Sequence, residues 1–291
     1  MVVLAVLVAI AGFLTHYFML RKHRVRPPEV VQKVPTYQEP ETTPPKFEVF
    51  PEEELPYQPP ISTPLEIEEL PRVAIIIDDL GYNRKMAQRF LELDAVLTFS
   101  VLPYSPFTKK IARSAYDKGM DVMLHLPMEP IEYPAIDPGP GVLLMSMSPD
   151  ELIRQLNQDL DAVPAIIGVS NHMGSKMTAE SDQMYQIFSV LKKRGLFFID
   201  SRSTAHTVGR PSARLFKIPF AERDVFIDHK PNADFIRRQL RTLVRIARKK
   251  GEAVGIAHPS KTTLKILRQE LPELQKQVEL VPVSQLVKII G

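Results

Sequence analysis

The sequence predicts an α/β protein built on a parallel sheet or barrel, which follows an N-terminal apolar helix and a proline-rich linker. Residues 72–291 alternate short β-branched runs with segments of helical period, the order expected for parallel strands joined by helices. Residues 27–71 hold 12 of the 27 prolines, and residues 1–20 contain no Lys, Arg, Asp or Glu. The 291-residue chain therefore has three parts, an apolar N-terminal segment, a proline-rich segment and an α/β region.

The composition excludes several classes of site. The chain has no Cys, which rules out thiolate catalysis, disulfides, iron–sulfur clusters and Cys-ligated zinc. Its net charge of +3 is small and dispersed, so no nucleic-acid partner is expected. No phosphate loop, dinucleotide-binding glycine motif or serine-hydrolase elbow is present in the sequence.

Residues 1–26 are predicted to be a transmembrane anchor or an uncleaved signal. Residues 1–20 are apolar and about as long as a bilayer-spanning helix. A buried amphipathic helix is the alternative, but residues 2–14 have no polar face. The basic cluster at residues 21–24 follows the apolar run, and the positive-inside rule would keep the following chain in the cytoplasm.

Residues 27–71 are predicted to be a Pro/Glu-rich linker. Such a composition buries too little apolar surface to offset the entropy of ordering, and proline extends the chain. Partial order near residues 47–55, where aromatic side chains occur, is the alternative.

Six strands are predicted in residues 72–291, with helices between them. The strands are residues 73–77, 96–101, 122–126, 166–169, 196–199 and 253–257, and shorter candidates lie near Leu215 and Leu280. Ser148 and Glu151 predict a capping box, and Ser105 before Pro106 predicts another helix start. Residues 237–249 predict a basic helix with a solvated outer face.

Polar side chains follow five of the predicted strands. In a barrel of parallel strands these ends meet at one face, where the active sites of such barrels lie. Two acidic clusters and three histidines on one face are what a metal-dependent hydrolase needs. The residues are Asp78, Asp79, His125, Asn171, His172, Asp200, Arg202 and His258.

Five motifs carry a resemblance to a known family. They are IIIDDLG at 75–81, HLPMEP at 125–130, NHMGS at 171–175, FIDSR at 198–202 and RDVFID at 223–228. Together they resemble the divergent polysaccharide deacetylase family of the polysaccharide deacetylase superfamily. The resemblance covers residues 72–291 and implies a distorted (β/α) barrel of about seven parallel strands. It also implies a divalent metal and hydrolysis of N-acetyl or O-acetyl groups on a cell-envelope polysaccharide.

The resemblance also implies roles for individual residues. Asp79, His125 and His172 would bind the metal, for which zinc is the first expectation. Asp78 would be the general base, and His258 would protonate the leaving group. The superfamily pattern H-x-x-x-H has Glu129 at its second histidine position here, so His172 is the expected replacement.

Further residues are assigned supporting roles. Glu129 is expected to be a fourth ligand or an alternative base, and Asp200 with Arg202 to support the ligands or form a structural ion pair. Tyr82, Tyr104 and Asn171 are expected to bind substrate. The simpler alternatives are turn capping for Asp78 and Asp79 and rim packing for both tyrosines.

Two functions are therefore expected from the sequence. The first is a metal-dependent carbohydrate deacetylase that acts on polysaccharide and is anchored to the membrane through residues 1–20. Its barrel would be extracytoplasmic, in the periplasm or at the cell surface, although the basic residues after the apolar run argue against this. The alternative is a catalytically impaired glycan-binding or envelope scaffolding module on the same barrel.

Overall fold

The computed structural model describes residues 69–291. The expected apolar segment, residues 1–26, and the expected linker up to residue 68 lie outside the described residues. From residue 69 onward, no helix combines the length and the apolar character needed to cross a bilayer.

Ten strands form one sheet in the described residues. They are β1 (Arg72–Leu80), β2 (Thr98–Val101), β3 (Asp121–Met128), β4 (Gly168–Met173), β5 (Phe197–Asp200), β6 (Pro219–Glu222), β7 (Val225–Phe226), β8 (Glu252–Ala257), β9 (Glu279–Leu280) and β10 (Lys288–Ile289). Eight of them run parallel in the order β6-β5-β4-β3-β2-β1-β8-β7. Strand β9 pairs parallel with β1, and β10 pairs antiparallel with β6.

One extended stretch of chain joins the two ends of this sheet. Strand β6 pairs with β5, while β7, only two residues further along the chain, pairs with β8. Between them, Arg223 N donates to Asp200 O (2.9 Å) and Asp224 N donates to Val254 O (2.8 Å). Strands β6 and β7 therefore share one position around the ring, which fits the expected distorted barrel of about seven strands.

Seven α-helices surround the sheet in residues 69–291. They are α1 (Arg84–Leu91), α2 (Thr108–Tyr116), α3 (Pro149–Ala162), α4 (Ser181–Arg194), α5 (Gly209–Phe216), α6 (Ala233–Lys250) and α7 (Lys261–Leu274). The capping box at the start of α3 is confirmed, because Glu151 N donates to Ser148 Oγ while Ser148 N donates to Glu151 Oε2.

Two local predictions are wrong. Helix α2 begins at Thr108 with Phe107 as its N-cap, because Ser105 is packed against Gly81 instead of capping the helix. Leu215 lies in helix α5 instead of a strand. The buried residues of that helix, Gly209, Ser212 and Ala213, have helical spacing, and the strand follows only at β6.

Hydrophobic side chains fill two layers, one between the sheet and the helices and one inside the barrel. The inner layer consists of Ala74, Ile76, Met123, Phe197, Ile199, Val254, Ile256, Val281, Val283 and Leu286. The C-terminal stretch lies across the starts of two strands, because Val283 N donates to Thr98 Oγ1 (3.0 Å) and Ser284 N to Asp121 Oδ2 (2.9 Å). This stretch covers the N-terminal ends of β2 and β3, and the polar residues predicted from the sequence lie at the opposite ends.

Candidate metal centre

A β-bulge at the end of β1 presents the two neighbouring aspartates to the same region. Adjacent residues of a regular strand point to opposite faces. Here the register with β2 shifts between Ile77 and Leu80, and Asp79 has a left-handed backbone with φ of 54°. Aspartate tolerates this conformation better than most residues, and bulges commonly redirect a side chain next to a site.

Three side-chain atoms converge beyond this bulge. Asp79 Oδ1 lies 3.1 Å from His125 Nε2 and 2.9 Å from His172 Nδ1. The two ring nitrogens are 3.2 Å apart. The three residues come from β1, β3 and β4, so the barrel brings them together from positions far apart in sequence. They form the His/Asp group in the described chain that is able to hold a metal ion.

This donor set fits a divalent metal of catalytic type. Asp79 Oδ1 is buried and has no partner with hydrogen-bond geometry, although two ring nitrogens lie close to it. Atoms 2.9–3.2 Å apart match ligands that share one ion at bond lengths of about 2.0–2.2 Å. Two imidazoles and one carboxylate leave further coordination positions open, as catalytic zinc sites do. Burial would raise the pKa of Asp79, but His125 and His172 lower it below its ordinary value.

The ring of His125 is held on its other side by a buried serine pair. His125 Nδ1 lies 2.9 Å from Ser170 Oγ, and Ser170 Oγ lies 2.8 Å from Ser100 Oγ. All three side chains are buried. A hydrogen bond from Nδ1 to Ser170 leaves Nε2 of His125 as the lone-pair nitrogen that faces Asp79 and His172.

Asp78 lies beneath this group, inside the barrel. Its Oδ1 is 3.7 Å from His125 Nδ1 and, in the described chain, accepts no hydrogen bond. Burial raises the pKa of Asp78, while the charges of His125 and His258 oppose that change. The guanidinium of Arg223 is a cation whose charge acts on Asp78. Burial, and then the charge of Arg202, lower the pKa of Arg223. Asp78 is thus a buried carboxylate with one unpartnered oxygen at the floor of the site.

His258 approaches the site from β8 and is oriented by Asp228. His258 Nδ1 lies 2.8 Å from Asp228 Oδ1, and His258 Nε2 lies 3.9 Å from Asp79 Oδ2. The ring of Phe226 stacks on the imidazole at 5.3 Å between centroids. Burial alone would lower the pKa of His258, but the hydrogen bond and charge of Asp228, followed by the charges of Asp79 and Asp78, raise it to about 9. The contact with Asp228 therefore favours the protonated imidazole and leaves Nε2 facing the site.

Residues with strained backbone surround this end of the barrel. Asp79, Tyr104, Met173 and Arg202 all have a left-handed backbone, although none is glycine. They follow or end β1, β2, β4 and β5. Such conformations persist only where the surroundings over-determine them, and they cluster at functional sites.

Glu129 is near this region but is fully engaged elsewhere. Its Oε1 forms an ion pair with Lys176 Nζ at 2.5 Å, and its Oε2 accepts a hydrogen bond from Met145 N at 2.6 Å. The structure therefore gives this carboxylate contacts that tie two loops together, and it does not bring it into the donor set.

Asp200 and Arg202 do not form the expected ion pair. Asp200 accepts from Arg202 backbone N (2.8 Å) and from Thr207 Oγ1 (2.6 Å), whereas the guanidinium of Arg202 contacts Glu222. Burial raises the pKa of Asp200. Both residues stabilise the loop after β5. Asp200 does so through Arg202 N and Thr207 Oγ1, and Arg202 through its contact with Glu222 of β6.

The three expected substrate-binding residues differ in their surroundings. Asn171 is buried, donates to Met173 O and accepts from Ser201 N, so its side chain joins the ends of β4 and β5. Alternation along β4 points it to the face opposite that of its neighbours Ser170 and His172. Tyr82 and Tyr104 are exposed at the ends of β1 and β2.

Ser170, Asp228 and Arg223 contribute to the site but are not among the residues assigned from the sequence. Arg223 is the first and Asp228 the last residue of the motif at 223–228. That motif therefore indicated both residues as candidates for the site. Ser170 lies two residues before His172, and residues i and i+2 of a strand share a face. This spacing indicated that Ser170 points toward the same interior.

The chain is similar to several known proteins. A family model described as divergent polysaccharide deacetylase matches residues 75–287. The uncharacterized protein YibQ of Escherichia coli (strain K12) is 32% identical over 216 residues, 74% of this chain and 67% of that protein. An uncharacterized protein of Haemophilus influenzae is 29% identical over 215 residues, 74% of this chain and 76% of its own. The solved structure of ATU2773 from Agrobacterium tumefaciens C58 is similar with a TM-score of 0.72 and 28% identity, covering 77% of this chain and 92% of that one.

Proposed function

The chain belongs to the divergent polysaccharide deacetylase family, and we propose that it is a metal-dependent hydrolase that removes acetyl groups from a cell-envelope polysaccharide. Membership of the family supports a carbohydrate deacetylase at the family level. The observation that carries the metal-dependent reaction is the convergence of Asp79 Oδ1, His125 Nε2 and His172 Nδ1 to within 3.2 Å of one another.

Some residues of the site would bind the metal ion, and others would transfer protons. Asp79, His125 and His172 would hold a divalent ion, for which zinc is the first expectation. When bound, that ion would supply Lewis acidity to the acetyl carbonyl and lower the pKa of a water molecule to about 7.

The protein groups would carry the protons of the reaction. Asp78 Oδ1, which has no hydrogen-bond partner in the described chain, takes a proton from the attacking water. His258 gives its Nε2 proton to the leaving nitrogen or oxygen of the sugar as the bond to the acetyl carbon breaks. One water is consumed, and acetate and a deacetylated sugar leave. Asp228 is a positioning residue, because its bond to Nδ1 directs the other nitrogen of His258 toward the site.

We also propose that the barrel lies outside the cytoplasm, where a cell-envelope polysaccharide is accessible. The basic residues 21–24 oppose this orientation. A fusion of residues 1–30 to a reporter that matures only outside the cytoplasm tests it. An active reporter supports the proposal, and an inactive but stable fusion contradicts it.

Metal content is the first test of the function, because it does not require the substrate. The full-length protein is purified without chelator, and bound zinc, iron, manganese, cobalt and nickel are measured per chain. About one ion per chain is expected, and it should be lost in the double variant His125→Ala, His172→Ala. The variant His206→Ala, which changes an exposed histidine, is the matched control and should keep the ion.

Acetate release then tests the reaction itself. Acetylated glycans are incubated with the metal-loaded wild type and with Asp78→Asn, and released acetate is measured. Release by the wild type alone supports the hydrolase. Wild-type protein that lacks stoichiometric metal even after supplementation would contradict it and favour the glycan-binding or scaffolding alternative.

A further inference from the structure

A row of four aromatic rings leads away from His258 along the loop after β7. The ring of Phe226 stacks on the imidazole of His258, with 5.3 Å between the centroids and 15° between the planes. The ring of His229 lies 6.4 Å from that of Phe226 and 4.6 Å from that of Phe235, in the first turn of α6. These four rings, here called the aromatic row, join the proposed proton donor to helix α6.

The aromatic row is accessible from the candidate metal centre. His258 Nε2 lies 3.9 Å from Asp79 Oδ2, so the row begins at the edge of that centre. The side chain of His229 is exposed, and those of His258, Phe226 and Phe235 are partly exposed. The loops after parallel barrel strands surround a common site, and β7 and β8 run parallel. A polymer whose reacting sugar lies at the centre is therefore able to contact this row.

Three cationic side chains lie beside these rings. Arg223 Cζ is 4.5 Å from the centroid of the Phe226 ring. Lys230 Nζ and Arg238 Cζ are 5.7 Å and 5.9 Å from the centroid of the Phe235 ring. These distances are within the range of cation–π contacts, which hold a cation beside a ring without neutralising its charge.

No carboxylate of the described chain pairs with these three cations. The ion pairs within residues 69–291 do not include Arg223, Lys230 or Arg238. The acidic side chains closest to them in sequence have other partners, namely Asp224 with Lys250, Asp228 with His258 and Asp234 with Arg237. Unpaired charges of one sign that lie close together create a local potential that attracts ions of the opposite sign.

Rings flanked by free cations suit a sugar that carries an acidic group. Aromatic rings pack against the apolar parts of a ligand. Lysine and arginine bind carboxylates and phosphates through charge-assisted hydrogen bonds, which are stronger than bonds between neutral groups. A neutral polysaccharide would contact the rings but would leave all three cations without a counter-charge.

We propose that the aromatic row and its cations bind an anionic substituent of the polysaccharide, a carboxylate or a phosphate, and thereby select acidic over neutral acetylated polymers. The inference rests on the proposed function, since it names the substrate class of that same site. Lys230 and Arg238 are exposed and contact the anion. Arg223 adds its charge from a fixed position, because its Nε donates to Ser201 O at 2.6 Å.

Direct binding tests this charge preference without relying on turnover. Three oligomers of equal length are titrated by calorimetry into the full-length protein, metal-free and metal-loaded. They are neutral chitohexaose, a hyaluronan hexasaccharide that carries carboxylates, and chitohexaose that bears phosphate groups. At least one charged oligomer should bind about tenfold more tightly than neutral chitohexaose, and the tighter of the two identifies the anion. Raising the salt concentration from about 0.02 M to about 0.5 M should remove most of this preference.

A double variant locates the preference. Lys230→Gln, Arg238→Gln removes the two exposed charges beside Phe235, and it should weaken binding of the charged oligomer about tenfold with little effect on neutral chitohexaose. Arg245→Gln, Lys249→Gln is the matched control, because it removes two exposed charges from the C-terminal end of the same helix. This control should bind like the wild type. Thermal melting of every variant confirms that it is folded.

Three results would overturn the proposal. The first is that neither charged oligomer binds more tightly than neutral chitohexaose. The second is that the double variant Lys230→Gln, Arg238→Gln keeps the wild-type affinity for the charged oligomer. The third is that the control variant loses as much affinity as the double variant, because the effect would then come from the overall charge of the protein.

The two proposals fail in different ways. Binding that depends on Lys230 and Arg238 without acetate release rejects the hydrolase and keeps the anion site. Acetate release with the same KM for acidic and neutral substrates, and with no effect of the double variant on either KM, rejects the anion site and keeps the hydrolase.

Discussion

Asp228 Oδ1 lies 2.8 Å from His258 Nδ1, and this contact fixes which nitrogen of His258 faces the candidate metal centre. Asp228 is itself held in place, because it also accepts from His258 N and from Thr263 Oγ1. A carboxylate with three donors orients an imidazole firmly and stabilises its protonated form.

The first prediction follows from that contact. Asp228→Asn keeps the size of the side chain but removes its charge, so His258 loses the group that stabilises its proton. We expect kcat to fall about 100-fold, within the usual range for loss of a general acid. Metal content should be unchanged, because Asp228 does not contact the three donor atoms. Steady-state acetate release and metal analysis check this, and a variant with wild-type kcat contradicts the role of Asp228.

The second prediction separates two roles for Asp78. If Asp78 is the base, Asp78→Asn retains the ion and loses activity about 100-fold or more. If Asp78 acts only by orienting the ring of His125, 3.7 Å away, the same variant loses metal affinity instead. We expect the first result, because Asp78 Oδ1 makes no hydrogen bond to that ring. Metal affinity and kcat measured on the same preparation distinguish them.

The third prediction concerns the serine pair behind His125. Ser170→Ala removes the partner of His125 Nδ1 and leaves a buried ring nitrogen unsatisfied. Metal affinity should fall about tenfold, and the free energy of unfolding by about 1–3 kcal/mol. Ser100→Ala, which removes only the outer member of the pair, should have the smaller effect on metal affinity. Chelator competition gives the metal affinity of both variants. Equal losses of affinity in Ser170→Ala and Ser100→Ala would contradict a chain in which only Ser170 contacts His125.

The fourth prediction is a pH dependence of stability at Asp159. Burial raises the pKa of this carboxyl from its ordinary value of 3.8 to about 7. Between those two values the folded chain binds more protons than the unfolded chain, so the free energy of unfolding falls as pH rises from about 4 to about 7. The loss is at most about 4 kcal/mol.

Asp159→Asn should remove this component. Urea unfolding at several pH values across that window should show a smaller loss of stability in the variant than in the wild type. Asp117→Asn, which changes an exposed carboxylate, is the control and should follow the wild-type profile. An unchanged slope in Asp159→Asn contradicts the prediction.

Much of the fold and part of the site follow from local sequence patterns. The strands near residues 73–77, 122–126 and 253–257 are present, because β-branched runs bounded by polar residues have few other low-energy structures. The rule that parallel strands place their C-terminal ends on one face brought Asp79, His125 and His172 together in the prediction. Boundaries and short elements were less accurate, as at Leu215, where helical spacing of the buried residues decides the structure.

The supporting contacts were not accessible in this way. The sequence shows that Glu129, Asp200 and Asn171 follow or lie near strand ends, but not that each is occupied by a neighbouring loop. Those loop partners lie 7 to 47 residues away along the chain, so no periodicity relates them. A polar residue at a barrel mouth has the same local signature whether it faces a ligand or a loop.

The sequence by itself determined the class of fold, the family, and the residue types from which the candidate centre is built, because these depend on local propensity and on motifs a few residues long. Only the tertiary structure decided which atoms meet. The bulge at Asp79, the bond from Ser170 to His125 and the pairing of Asp228 with His258 each depend on strand register, since a shift of one residue would turn every side chain to the other face.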